Sequence, residues 1–174
     1  MDVKAAEQLD TRKKLLEIIR AKPGIHFREL HRESGLAMGE LEYHLGVLEK
    51  NEIITKTKSP HYTKYYPTAE LGSKDKKLMD ILRHKKLREI LLFIISKEKV
   101  SHGDIVAEFQ LIKSTASFYA DKLLKYGLIE KQKEGRNVYY TVKNPMNVLR
   151  LLLLYKKGFG EELAERVEGL WGNL

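Results

Sequence analysis

The sequence predicts a mainly α fold with small β-hairpins, an α+β chain built as two tandem units and closed by C-terminal helices. Three observations predict it. Shifted by 75 residues, the chain repeats its apolar skeleton: Ile25 falls on Val100, Leu30 on Ile105, Leu36 on Leu111, Leu41 on Ala116 and Tyr43 on Phe118. Leu48 then falls on Leu123 and Ile53-Ile54 on Leu128-Ile129, and the match runs back to Leu15-Leu16 on Ile90-Leu91 and Ile19 on Ile94. Second, each copy carries three stretches of helical apolar spacing before two short β-prone runs. Third, after residue 142 this pattern gives way to a helix that is apolar almost all round.

In the first copy, residues 11–21 place Leu15, Leu16, Ile18 and Ile19 at helical spacing, and Pro23-Gly24 ends the run. A second helix covers residues 27–34 and Gly35 stops it in the left-handed conformation. A third covers 38–51, with Leu41, Leu45 and Leu48 on one face. Strands at 53–58 and 63–67 follow, joined at Ser59-Pro60. One deletion in the turn then sets Tyr65-Tyr66 on Tyr139-Tyr140. Residues 1–68 make the first unit. Residues 69–86 read as a polar linker running into the next helix: from Lys74 on, Lys74, Lys76, Lys77, Arg83, Lys85, Lys86 and Arg88 face only Asp75 and Asp80.

The second unit covers 87–143. Its first helix is 87–97; Ser101 caps the second, with Asp104 three residues on in near capping-box spacing. The third covers 114–126 and stops at Gly127. Strands at 128–133 and 137–142 flank Glu134-Gly135-Arg136, a tight turn with a basic tip. Residues 144–174 form the C-terminal region. Asn144-Pro145 starts a helix carrying Met146, Val148, Leu149 and the run Leu151-Leu152-Leu153-Leu154. Gly158 and Gly160 break it, and a last helix holds Leu163, Val167, Leu170 and Trp171. A helix apolar all round must be buried. A homodimer through these C-terminal helices is the expected solution, with packing inside the chain as the other.

Composition bounds the function. Lys plus Arg number 32 against 24 Asp plus Glu, a formal net charge of +8. Such a body attracts polyanions, nucleic acid first among them, although charge alone fits plain solubility equally well. There is no cysteine, which excludes disulfides, zinc–cysteine sites and thiol chemistry. No signal peptide is visible and the longest apolar runs, 90–95 and 151–155, are too short for a bilayer, so no membrane partner and a cytoplasmic location are expected. Six histidines show no i, i+4 pair, and no phosphate loop, nucleophile elbow or apolar carboxylate pair is present. Asp104 and Glu108 share a helix's solvent side, and His44 falls at the core margin of the third helix. No enzyme activity, metal or cofactor is expected.

Three helices followed by a β-hairpin is the layout of a winged helix. The stretch Gly35-Leu36-Ala37-Met38-Gly39-Glu40-Leu41-Glu42-Tyr43-His44-Leu45, with Val47-Leu48-Glu49 and Ile53-Ile54, resembles the recognition-helix signature of arsenic-repressor-type winged helices. The second copy, Lys113-Ser114-Thr115-Ala116-Ser117-Phe118-Tyr119 through Leu123-Leu124-Lys125-Tyr126-Gly127-Leu128-Ile129, is similar to it, and the whole chain resembles tandem winged-helix regulators of archaea. The resemblance implies two winged helix-turn-helix units and a transcription regulator that binds double-stranded DNA. Asn51-Glu52 replaces the glycine usual before the apolar pair, and the cysteines of metal-sensing members are missing, so metal sensing does not carry over.

In a helix-turn-helix the second helix of the motif lies in the major groove, with its N-terminal residues at base edges. That places Lys113, Ser114, Thr115, Ser117 and Phe118 of the second unit at the groove and Lys122 near the backbone. In the first unit Met38, Gly39 and Tyr43, with His44 beside them, take the same place. Residues 37–52 hold four Glu and one Lys, a net −3, against three Lys and one Asp, a net +2, in 112–127. The acidic helix is as compatible with docking on protein as on DNA. Lys56, Lys58, His61 and Lys64 make the first hairpin basic; Lys131, Lys133 and Arg136 do so for the second. Wings of this kind track phosphates or probe the minor groove. Three readings follow: a dimeric sequence-specific regulator, an adaptor whose first unit docks on the transcription machinery, and an architectural DNA-binding protein.

Overall fold

A computed structural model describes residues 3–58, 62–159 and 161–172. The chain divides into two compact units: residues 1–79 with 155–158, and residues 80–154 with 159–174.

Unit 1 runs α1 (Val3–Ala21), β1 (Ile25–His26), α2 (Phe27–Ser34), α3 (Met38–Lys50), β2 (Ile54–Lys58) and β3 (Thr63–Pro67). Its sheet has the order β1-β3-β2, antiparallel, with Ile25 opposite Tyr65 and Ile54 opposite Pro67. The core holds Leu15 and Ile19 of α1, Ile25, Leu30 of α2, Leu41, Leu45 and Leu48 of α3, Ile54 and Tyr65. Spacings of three and four residues put each set on one helix face. α1 starts at Val3, well before the expected residue 11. Its first turns, Lys4-Ala5-Ala6-Glu7-Gln8-Leu9, lack apolar periodicity but are strong helix formers, and they extend a helix nucleated on the core. Gly24 adopts φ +80 in the turn after α1, where a Cβ would meet the Tyr66 ring at 3.1 Å.

The stretch expected to be a polar linker is α4 (Ser73–Leu82), within which the unit boundary falls after Met79. Its lysines are exposed or half-buried, while Leu78, Met79, Ile81 and Leu82 are buried. The charges had masked an amphipathic stripe.

Unit 2 repeats the order with α5 (Lys85–Lys97), β4 (Val100–Ser101), α6 (His102–Glu108), α7 (Lys113–Lys125), β5 (Ile129–Glu134) and β6 (Asn137–Val142). The sheet order is β4-β6-β5, with Val100 opposite Tyr140 and Ile129 opposite Val142. The 75-residue shift therefore holds through the hairpin without a deletion: Tyr65 corresponds to Tyr140, and Lys64 to Tyr139. The equivalent pairs Lys58–Thr63 and Lys133–Val138 keep the 75-residue offset, so the aligned Tyr-Tyr doublet gives the wrong register. Ser101 and Asp104 form a complete capping box: Ser101 Oγ accepts the Asp104 N–H at 3.1 Å, and Asp104 Oδ2 accepts the Ser101 N–H at 2.7 Å.

The tail forms α8 (Pro145–Leu154), a 3-10 turn (Lys156–Gly158) and α9 (Glu161–Trp171). Asn144 Oδ1 accepts the Asn147 N–H at 3.0 Å and caps α8. Val148, Leu149, Leu151 and Leu152 are buried, and within unit 2 α8 packs on α9 and α9 on α5. α5 is itself deeply covered, with Leu87 and the run Ile90-Leu91-Leu92-Phe93-Ile94-Ile95 buried. The apolar girth of α8 is thus covered largely within the chain and does not demand a second subunit. The Ser59-Pro60 turn, His61 and the break at Gly160 lie outside the described residues. Among the described residues no helix is long and apolar enough to cross a membrane.

Candidate nucleic-acid interface

Small core-facing residues seat α7. Ala116, Ala120 and Leu123 are buried at i, i+4 and i+7, which turns the opposite face outward. On that face Lys113 and Ser114 are exposed and the Phe118 side chain is 60% exposed, with its ring edge on Tyr119 at 5.5 Å between centroids. Lys122 Nζ stands 6.0 Å from the Phe118 ring centroid, so cation and ring form one patch. Thr115 is half-buried. Ser117 is half-buried as well, and its Oγ lies 3.1 Å from His102 Nε2 on α6. Nothing in the sequence spacing signals that pair.

The second wing is built for a projecting basic tip. Gly135 adopts φ +60, which lets two residues reverse the chain between Glu134 and Asn137. Glu134 is paired with Lys99 at 2.5 Å and Glu130 with Lys143 at 3.4 Å. Both hairpin carboxylates are therefore neutralised, while Lys131, Lys133 and Arg136 stay exposed with no acidic partner among the described residues.

Unit 1 presents a different face. Met38 and Tyr43 are more than half exposed, Gly39 leaves open space, and Glu40 and Glu42 project into solvent. His44 is buried and turned away from any groove. Its Nε2 is 3.8 Å from the Glu40 carboxylate and its Nδ1 has no hydrogen-bond partner. Burial, reinforced by Arg12, holds its pKa below the ordinary imidazole value despite Glu40. On the first wing Lys58 is exposed, and Lys64 is half-buried with Nζ 5.4 Å from the Tyr62 ring centroid. Lys56 is paired with Glu49 of α3, so it is not the free cation that the sequence suggested. Beside this wing an open groove of about 620 Å³ collects His26, Phe27, Arg28, Arg32, Glu42 and Tyr62. The Tyr62 ring meets His26 edge-on at 4.6 Å, and Arg28 and Arg32 have no acidic partner among the described residues. No cluster of three or more His, Asp or Glu able to hold a metal occurs among the described residues.

Residues 9–79 match the family model HTH_HVO_0163_N, an N-terminal HTH domain. The chain is 27% identical over 133 residues to an uncharacterized HTH-type transcriptional regulator of Methanocaldococcus jannaschii, a match covering 76% of this chain. The chain spans about a third, 33%, of that relative's length. Among solved structures, HlyU from Vibrio cholerae N16961 superposes at a TM-score of 0.43 with 23% identity, over 48% of this chain and 90% of that one. A possible transcriptional regulator for arsenical resistance gives 0.39 with 22% identity, over 53% and 95%. Three helices and an antiparallel hairpin in each unit give the chain the winged helix-turn-helix fold, and its first unit is similar to the N-terminal HTH domain family.

Proposed function

We propose that the chain binds double-stranded DNA and regulates transcription, with α7 in the major groove and its wing along the phosphate backbone. The basic wing beside α7 carries this reading: Lys131, Lys133 and Arg136 have no acidic partner among the described residues, and the hairpin's two glutamates pair with Lys99 and Lys143. Lys113 and Ser114 are placed to reach base edges or phosphates, Phe118 to pack on thymine methyls, and Lys122 to reach the backbone. The similarity to an HTH-type transcriptional regulator supports the reading, and it assigns the chain no catalysis. It acts in the cytoplasm as a homodimer joined through exposed residues of the C-terminal helices.

Electrophoretic shifts with genomic fragments, with and without random competitor, test this proposal. A subset of fragments should survive competition. Uniform loss would leave an architectural protein, and no shift at low salt would end the DNA reading.

For unit 1, exposed Met38 and Tyr43 flanking Glu40 and Glu42 favour a second role, docking on a protein of the transcription machinery. A pull-down from lysate before and after nuclease treatment separates the two. A partner that disappears with the nucleic acid would return unit 1 to DNA.

A further inference from the structure

We propose that His102 is a specificity-determining residue that never touches DNA: through Ser117 it sets whether α7 offers the major groove a hydrogen-bond donor or an acceptor. The inference rests on the reading that α7 enters the groove.

A serine hydroxyl has one hydrogen and two acceptor lone pairs, and a neutral imidazole has one donor and one acceptor nitrogen. Between Ser117 Oγ and His102 Nε2, 3.1 Å apart, one hydrogen bond runs, and it has two senses. When Nε2 is unprotonated, Ser117 donates inward and its outward side can only accept. It then suits the amino groups of cytosine N4 or adenine N6. When Nε2 carries a proton, the ring donates and the Ser117 hydrogen is free to point outward. It then suits guanine O6 and N7 or thymine O4. An imidazolium has a proton on both nitrogens, so protonation allows only the second sense.

The placement supports the role. His102 opens α6, held there by the Ser101–Asp104 capping box, and Ser117 sits one turn into α7. Both are half-buried, which excludes much of the water that would compete for the bond. Unit 1 lacks the device, since the same 75-residue shift puts Phe27 and Glu42 at these positions. α6 packs against α7, β4 and β6. The charged or titratable residues on these elements are Lys113, Tyr119, Asp121, Lys122 and Lys125 on α7, Tyr139 and Tyr140 on β6, and Asp104 and Glu108 on α6 itself; β4 carries none. Asp104 is committed to the Ser101 N–H, and Tyr139 lies under Lys99 Nζ at 4.6 Å. His102 is therefore the group whose proton changes the face of Ser117.

The test is a binding selection of the full chain on random duplex DNA at about pH 5.5 and about pH 8. One position of the selected motif should change from amino-bearing to carbonyl-bearing bases on acidification, by on the order of tenfold in base frequency. Flanking positions should stay fixed. Ser117→Ala and His102→Gln should each make that position insensitive to pH. A motif identical at both pH values overturns the inference, as does a pH-dependent position that survives in Ser117→Ala. If His102→Gln fails to fold, as read from its melting curve, the wild-type and Ser117→Ala selections still decide. Failure to bind any duplex would instead overturn the DNA reading itself.

Discussion

Glu52 holds φ +57 at the end of α3, where the second unit has Gly127 at φ +68; Gln110 holds φ +50 after α6, where the first has Gly35 at φ +71. Each unit needs left-handed backbone at both helix ends, and each fills one of the two with a residue that resists it. A side chain in this region costs roughly 1–2 kcal/mol, part of which glycine gives back through the freer unfolded chain. Glu52→Gly should therefore raise stability by about 0.5–1 kcal/mol, and Gly127→Ala should lower it by about 1 kcal/mol, in urea unfolding at constant slope. A destabilised Glu52→Gly would mean that the glutamate makes a compensating interaction. His44 gives a residue-scale pH dependence. Burial holds its folded pKa below the ordinary value, so the unfolded chain takes up a proton first as pH falls. That contribution to stability is present above about pH 6.5 and is lost below it. Asp104, lowered by its bonds to Ser101, loses its share only in the lower carboxylate range. Urea midpoints against pH should fall first in the imidazole window, and His44→Leu should flatten that limb while leaving the lower one. An unchanged limb in His44→Leu would assign it to another histidine.

At the level of elements, legibility followed whether a signal was local. Helix bounds of α2, α3 and α7 and the Ser101 cap were readable because caps, glycines and i, i+4 spacing lie in a few residues. The third strand of each sheet was not, because pairing of Ile25 with Tyr65 and of Val100 with Tyr140 joins distant segments. α4 was hidden by composition, its buried Leu78, Met79, Ile81 and Leu82 outvoted by flanking lysines. For the site, exposure of Phe118 and the basic turn at Gly135-Arg136 were legible, but the pairings Lys56–Glu49 and His102–Ser117 cross between elements and were not. These pairings rank the wings. The second keeps its cations free, so Lys133→Ala with Arg136→Ala should weaken binding to all sequences and reduce the dependence of log affinity on log salt by about 2, near 0.9 per neutralised phosphate. An unchanged slope would remove this wing from the interface. The recognition helices separate by face. Ser114→Ala and Phe118→Ala should each alter base preference by about 1–3 kcal/mol, the range for one well-made interaction with a base, and Met38→Ala and Tyr43→Ala should alter it less. Binding selections on single variants read this, and relaxed specificity from Tyr43→Ala alone would give sequence reading to unit 1.

For the whole molecule the open matter is assembly, and burial in α8 changes how it must be tested. Cover from within the chain removes the argument that the girth of this helix needs a partner, yet Met146, Leu154 and Trp171 remain 43%, 58% and 38% exposed. Met146, Arg150 and Leu154 recur every four residues along α8, a narrow outward stripe. A two-fold dimer built there would present equivalent recognition helices to a palindromic site, so operator symmetry and protein symmetry would agree. Deleting everything after Lys143 cannot test this. It strips Val148, Leu149, Leu151 and Leu152 from the interior at about 1.5–3 kcal/mol each, against a whole-domain stability of about 5–15 kcal/mol. The truncated chain should lose unit 2, while unit 1, which gives up residues 155–158 but keeps its core in residues 15–65, retains a cooperative transition. Charging the stripe is the cleaner experiment. Met146→Glu with Leu154→Glu leaves every buried position intact, so the melting temperature should hold while light scattering falls from dimer to monomer mass. DNA affinity for a palindromic site should fall with it, and affinity for a half-site should not. A double variant that stays dimeric places the interface elsewhere; a wild-type chain that is monomeric at the same concentration leaves the two units of a single chain to read the operator alone.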